Sequence, residues 1–154
     1  MKKIDIKKLI FYIGITLLIG SLPSFFIKIG ETYKSLNRPP LSPPGIVFPI
    51  VWTILFILMG ISIYIIMMSN SKNKEEARLI YFIQLIVNAC WTPIFFGLEE
   101  FFLALLWIIM LILLVVIMII MFYKINKTSA YLNIPYLIWL LFACYLTFGV
   151  FVLN

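Results

Sequence analysis

The sequence predicts an all-α integral membrane protein, a five-transmembrane-helix bundle with a proline-rich first loop lidding a pocket. Three observations carry the prediction. Of 154 residues, 64% are hydrophobic and 12% charged, against about 45–50% and about 25% in soluble domains; the mean hydropathy is +1.15. The apolar residues fall into five runs, each near the roughly 20 residues that a spanning helix needs. All six acids, Asp5, Glu31, Glu75, Glu76, Glu99 and Glu100, stand at the ends of these runs. A soluble fold of this size could not hide so much apolar surface, and the chain is read as one transmembrane domain over residues 1–154.

The first run, about residues 9–29, follows the basic cluster Lys2, Lys3, Lys7 and Lys8. It begins like a signal peptide, but it is longer than a typical apolar core region and no A-x-A-like cleavage site follows. It is expected to be a retained helix, bent near Pro23. Residues 30–44 form a strap containing Pro39-Pro40 and Pro43-Pro44. Proline fixes φ, lacks an N–H and holds the preceding residue extended, so Asn37 to Pro44 cannot be helical. The second span is about 45–68, and the third, after a polar turn, about 77–97. Glu99-Glu100 marks a tight turn before the fourth span, about 101–123, which is apolar on every face and reads as lipid-facing bulk. The fifth is about 131–153. Tyr33, Tyr64, Tyr81, Tyr123 and Tyr131 fall near helix ends, as interfacial aromatic belts do, and Trp107 reads as lipid-facing for the same reason.

With five spans, nine Lys and Arg residues share one side of the membrane, while Lys28, Lys34 and Arg38 lie on the other. The positive-inside bias puts the N-terminus in the cytoplasm and the strap outside. The net charge of +6 is then a topology signal, and no nucleic-acid partner is implied. Histidine is absent, which removes the commonest metal ligand and general base; no metal site is expected. Cys90 and Cys144 sit within apolar runs and read as buried free thiols.

Three spans carry polar or aromatic residues at helical spacing. These are Trp52, Phe56 and Gly60 on the second; Gln84, Asn88, Trp91 and Phe95 on the third; Tyr136, Trp139, Ala143 and Thr147 on the fifth. Helix–helix packing and interhelical hydrogen bonds account equally well for Gln84, Asn88 and Gly60. A buried indole needs an acceptor for its N–H, and neither Trp52 nor Trp139 has an obvious polar side chain one turn away. Two such donors on separate helices could converge on a ligand carbonyl or carboxylate.

The order of these pieces resembles the TspO/MBR family, the tryptophan-rich sensory proteins that include the mitochondrial translocator protein. The resemblance rests on Tyr33 and Leu36 leading into Arg38-Pro39, then Pro43-Pro44, then the segment from Phe48 to Gly60 with Trp52. Gln84, Asn88, Trp91, Pro93, Ile94, Phe95 and Phe96 follow, and last Pro135, Tyr136, Leu137, Trp139, Phe142 and Ala143. It implies a five-helix bundle, a homodimer in a bacterial cell membrane, and a pocket for porphyrins, notably protoporphyrin IX, and for isoquinoline carboxamide-type ligands. It also implies light-dependent oxidative porphyrin breakdown as a possible activity, with no required cofactor. Carried onto this chain, the ligand-binding residues would be Tyr33, Arg38, Pro43, Pro44, Trp52, Phe56, Asn88, Trp91, Trp139 and Ala143. The chain departs from the family's pattern at Leu146-Thr147, where many members have Leu-Asn, and in lacking any Lys or Arg after Tyr145, which weakens the case for cholesterol.

A porphyrin is a flat apolar disc with two carboxylates. A dry aromatic slot suits the disc, indole N–H groups suit a polar edge, and Arg38 or Lys34 could pair with a propionate. Trp52 and Trp139 could alternatively be redox partners of an excited porphyrin. Passive transport of tetrapyrroles or other apolar solutes is a further reading; ion coupling is disfavoured because no charged residue lies at mid-membrane.

Overall fold

The computed structural model describes residues 4–154, so Lys2 and Lys3 of the basic cluster lie outside the described residues. Five helical segments are long and apolar enough to cross a membrane: Ile6–Phe25, Val47–Met67, Lys74–Gly97, Phe101–Ile125 and Lys127–Leu153. No strand occurs among the described residues. The chain is an integral membrane protein.

Helix α1, Ile6–Ser21, is capped by Asp5, whose carboxylate accepts from the Lys8 N–H. Pro23 then sits in a 3-10 turn, Leu22–Phe25, and the span stops there, earlier than residue 29. Residues expected in the strap instead wind into a short helix, α2, Ile29–Ser35. No proline precedes Pro39 in that stretch, so only the section from Leu36 carries the restraint. Asn37 to Pro44 is non-helical. Leu41 adopts φ 68°, with Pro40 before it and the Ser42 N–H directed back to the Pro39 carbonyl. That is the pattern of a tight turn with a left-handed residue after proline.

Helix α3, Val47–Met67, begins where the Pro44 carbonyl accepts from the Val47 N–H; Pro49 is tolerated in its first turn. Helix α4, Lys74–Thr92, ends at Pro93, and the chain widens into one π-turn, Pro93–Gly97, with Leu98 N–H bonded to the Pro93 carbonyl at 2.9 Å. Helix α5 is Phe101–Ile125, α6 is Lys127–Tyr131 and α7 is Ile134–Leu153.

Two expectations for the fourth span are corrected. Helix α5 is not lipid-facing bulk: Ala104, Ile108, Leu111, Val115, Met118 and Phe122 are at most 2% exposed and form a stripe between α4 and α7. Lipid tails and protein cores are equally apolar, so a uniformly apolar helix conceals which face packs. Nor is Trp107 free in lipid. Its indole N–H donates to the Val87 carbonyl at 2.8 Å and ties α5 to α4.

Helix α1 packs along α3 through glycines. A Cβ at Gly60 would lie 2.5 Å from Ile13 Cα, so the close approach requires glycine there. At the opposite end from the strap, Ser62 and Ser129 each donate to the other's carbonyl, at 3.0 and 2.8 Å, and Asn133 Nδ2 donates to Ser62 Oγ at 2.6 Å. This buried clasp joins α3 to α6 and the start of α7.

Candidate functional site

Beneath the strap, α3, α4, α5 and α7 enclose a cavity of about 20 Å³ lined by Phe48, Trp52, Asn88, Trp91, Ile108, Leu111, Trp139, Leu140 and Ala143. That is room for about one water. Each helix contributes residues one turn apart: Phe48 and Trp52, Asn88 and Trp91, Ile108 and Leu111, Trp139 and Ala143. The walls are mostly ring surface. Trp52 stacks on Phe56 at 5.3 Å and meets the edge of Tyr136 at 6.0 Å; Trp91 stacks on Phe95 at 4.8 Å; Phe48 meets Trp139 at 6.0 Å.

The polar groups are lopsided. Asn88 Nδ2, Trp91 Nε1 and Trp139 Nε1 are buried with no protein acceptor, and so is Gln84 Nε2 one turn below Asn88. Gln84 does accept from the Tyr136 hydroxyl at 2.9 Å, an interhelical bond of the kind that packs membrane bundles. Buried N–H groups are nearly always paired, and leaving one unpaired costs about 1–3 kcal/mol. An apolar chamber with several idle donors favours a ligand that is flat, apolar and carries an acceptor.

The strap is pinned from both sides. On one, the Tyr33 hydroxyl donates to the Pro43 carbonyl, the Tyr33 ring meets Phe48 at 5.2 Å, and Arg38 lies 4.6 Å over the Tyr33 ring. On the other, the Tyr145 hydroxyl donates to the Pro40 carbonyl at 2.8 Å, and Pro39 seats against Gly149. Asn154 Oδ1 accepts from the Asn37 N–H while Asn154 Nδ2 donates to the Asn37 carbonyl.

Of the residues expected from the sequence, Trp52, Asn88, Trp91, Trp139 and Ala143 line the one cavity. Phe56 is buried behind Trp52, and Tyr33 reaches the wall only through Phe48. Pro43 and Pro44 act in the strap, one as Tyr33's acceptor and one at the start of α3. Arg38 is not at the cavity; it borders an open depression on the strap with Leu36, Asn37, Pro39, Leu41 and Ser42. Of the indoles, Trp91 and Trp139 have buried N–H groups without a protein acceptor; Trp52 is half-buried, stacks on Phe56 and meets the edge of Tyr136.

The TspO/MBR family profile matches residues 12–153. The chain belongs to the TspO/MBR family. Among its relatives are the tryptophan-rich protein TspO of Chlorobaculum tepidum, 35% identical over 92% of each chain, and that of Archaeoglobus fulgidus, 35% identical over 97% of this chain and 99% of the relative. The translocator protein of Bos taurus is 31% identical over 72% of this chain and 68% of its own. Family membership supports a membrane role of the binding or transport type. The TspO/MBR pieces that the sequence displayed as separate motifs come from α2 and the strap, α3, α4 with its π-turn, and α7. What sequence reasoning missed is the share of α5, Ile108 and Leu111, and the wall residues Phe48 and Leu140. Phe48 stood inside a quoted motif, four residues before Trp52, and that spacing could have placed it.

Proposed function

We propose that this chain is a membrane receptor for porphyrins, protoporphyrin IX foremost, and for related flat hydrophobic ligands such as isoquinoline carboxamides. The observation that carries the reading is the set of buried, acceptor-less donors on Asn88, Trp91 and Trp139 within an aromatic chamber. A ligand's carboxylate or carbonyl would satisfy donors that the protein alone leaves idle, and its rings would stack on Trp52 and Trp91. The cavity is far smaller than a porphyrin, so binding includes a separation of the surrounding helices. We take the bound form to be a homodimer in a bacterial membrane with the N-terminus cytoplasmic.

The test is quenching of protoporphyrin IX fluorescence by purified protein. Trp91→Phe and Trp139→Phe should each weaken binding about tenfold, roughly 1.4 kcal/mol, the net worth of one hydrogen bond; Trp52→Phe should weaken it less. Unchanged affinity in both donor variants would sink the reading. A second reading, light-driven oxidation of the bound porphyrin, is favoured by the contact between Trp52 and the buried Tyr136. In it dioxygen is the oxidant: the excited porphyrin takes an electron from an indole and passes it to dioxygen, and the macrocycle is then oxidised, its electrons restoring the indole radical and further reducing the oxygen.

A further inference from the structure

We infer that ligands reach this cavity sideways from the bilayer, through the seam between α3 and α7, and that Phe48 is the movable plug. The inference rests on the reading that the cavity takes an apolar ligand.

The bundle is unevenly fastened around the cavity. Helix pairs α1/α3, α4/α5 and α5/α7 pack backbone to backbone along their lengths, whereas α3 and α7 do not. Along this seam the rings meet in edge contacts, Phe48 with Trp139 and Trp52 with Tyr136, each with centroids 6.0 Å apart. Among the described residues, no side-chain hydrogen bond joins α3 to the body of α7. The first polar link lies at the far end, where Asn133 and Ser129 clasp Ser62. The strap, by contrast, is held to α7 by the Asn37–Asn154 pair, the Tyr145–Pro40 bond and the seat of Pro39 on Gly149. It is held to α2 by Tyr33 and Arg38.

The solvent outside the seam decides which side yields. In hydrocarbon, separating two rings exchanges ring contact for lipid contact, with no hydrophobic cost. Lifting the strap breaks hydrogen bonds and works against prolines whose φ is fixed. Phe48, Trp52 and Trp139 are half-buried cavity-wall residues. The clasp at Ser62 closes one end of the seam and the strap, which runs on into α3, ties the other to α7, so the seam can part between them, at the Phe48–Trp139 contact. The ligand class follows: molecules already dissolved in the membrane.

The test measures exchange of protoporphyrin IX between plain vesicles and proteoliposomes. Phe48→Ala should speed association and dissociation together, by about fivefold or more if the ring limits passage, and Phe48→Trp should slow both. Strap release by Tyr145→Phe with Asn154→Ala, which removes the side chain that holds the Asn37 main chain, should leave the rates near wild type. Faster exchange on strap release, with Phe48 variants unchanged, overturns the inference. A second measurement needs no ligand: acyl chains carrying bromine should quench intrinsic tryptophan fluorescence more in Phe48→Ala than in wild type or the strap variant. Equal quenching in all three also overturns it. If wild-type protein binds no protoporphyrin IX, the receptor reading falls, and the bromolipid measurement alone decides the seam.

Discussion

Gly20 of α1 lies against the ring of Phe56 on α3, with no room between them for a Cβ. Phe56 in turn stacks on Trp52, a wall of the cavity. The outermost helix of the chain, with little of its own surface buried, therefore presses on the candidate site through one ring. Gly20→Ala would gain up to about 1 kcal/mol of helix propensity but must displace Phe56, and overpacking costs about 1–3 kcal/mol. We expect a small net loss of thermal stability and a change in tryptophan emission reporting the moved Trp52. Wild-type emission from Gly20→Ala would disprove the coupling.

Gly60 makes the harsher contact, because its neighbour is the Ile13 main chain at 2.5 Å. A ring can rotate away; a helix backbone cannot move without shifting the whole of α1. Gly60→Ala should thus cost more than Gly20→Ala, about 3 kcal/mol at the upper end of overpacking, in detergent unfolding monitored by circular dichroism. Equal melting of the two variants would show that α1 is not held where these contacts place it.

Asn88 separates ligand binding from stability by sign. Its Nδ2 is buried without a protein acceptor, and a buried donor left unpaired costs about 1–3 kcal/mol. Asn88→Leu keeps similar bulk and removes the idle donor. The empty variant should melt higher than wild type, while protoporphyrin IX binding weakens. A variant that loses both stability and binding would mark Asn88 as a packing residue instead.

The readable part of this fold is the part where lipid and protein interior differ. Tryptophan, asparagine and glutamine stand out in apolar spans, so Trp52, Asn88, Trp91 and Trp139 were identifiable from spacing, and they share a cavity. The prolines likewise announced the non-helical Asn37 to Pro44. Leu, Ile and Val give no such contrast, which is why Ile108 and Leu111 of α5 were read as lipid-facing. Partner choice among donors was beyond reach for another reason. Whether Trp107 or Trp91 finds an acceptor depends on which carbonyl a neighbouring helix presents, and Val87 presents one only to Trp107. Arg38 lies over the Tyr33 ring, a direction set by local geometry that residue spacing does not carry.

The strap's seat gives a last prediction, independent of any ligand. Pro39 packs directly on Gly149, with no space for a methyl group between them, while Tyr145 one turn earlier on α7 holds the Pro40 carbonyl at 2.8 Å. Gly149→Ala would push Pro39 outward, and two consecutive prolines transmit the push because neither can adjust φ. The Tyr145–Pro40 bond and the Asn37–Asn154 pair would then lengthen together. Tyr145→Phe removes one bond only, at about 0.5–1.5 kcal/mol. Limited proteolysis of proteoliposomes with chymotrypsin should accordingly cut the strap, whose Leu41 is exposed and followed by Ser42, several-fold faster in Gly149→Ala than in Tyr145→Phe, and slowest in wild type, because cleavage tracks the open population. Cleavage at wild-type rate in Gly149→Ala would mean that the strap rests on α7 without being held by it.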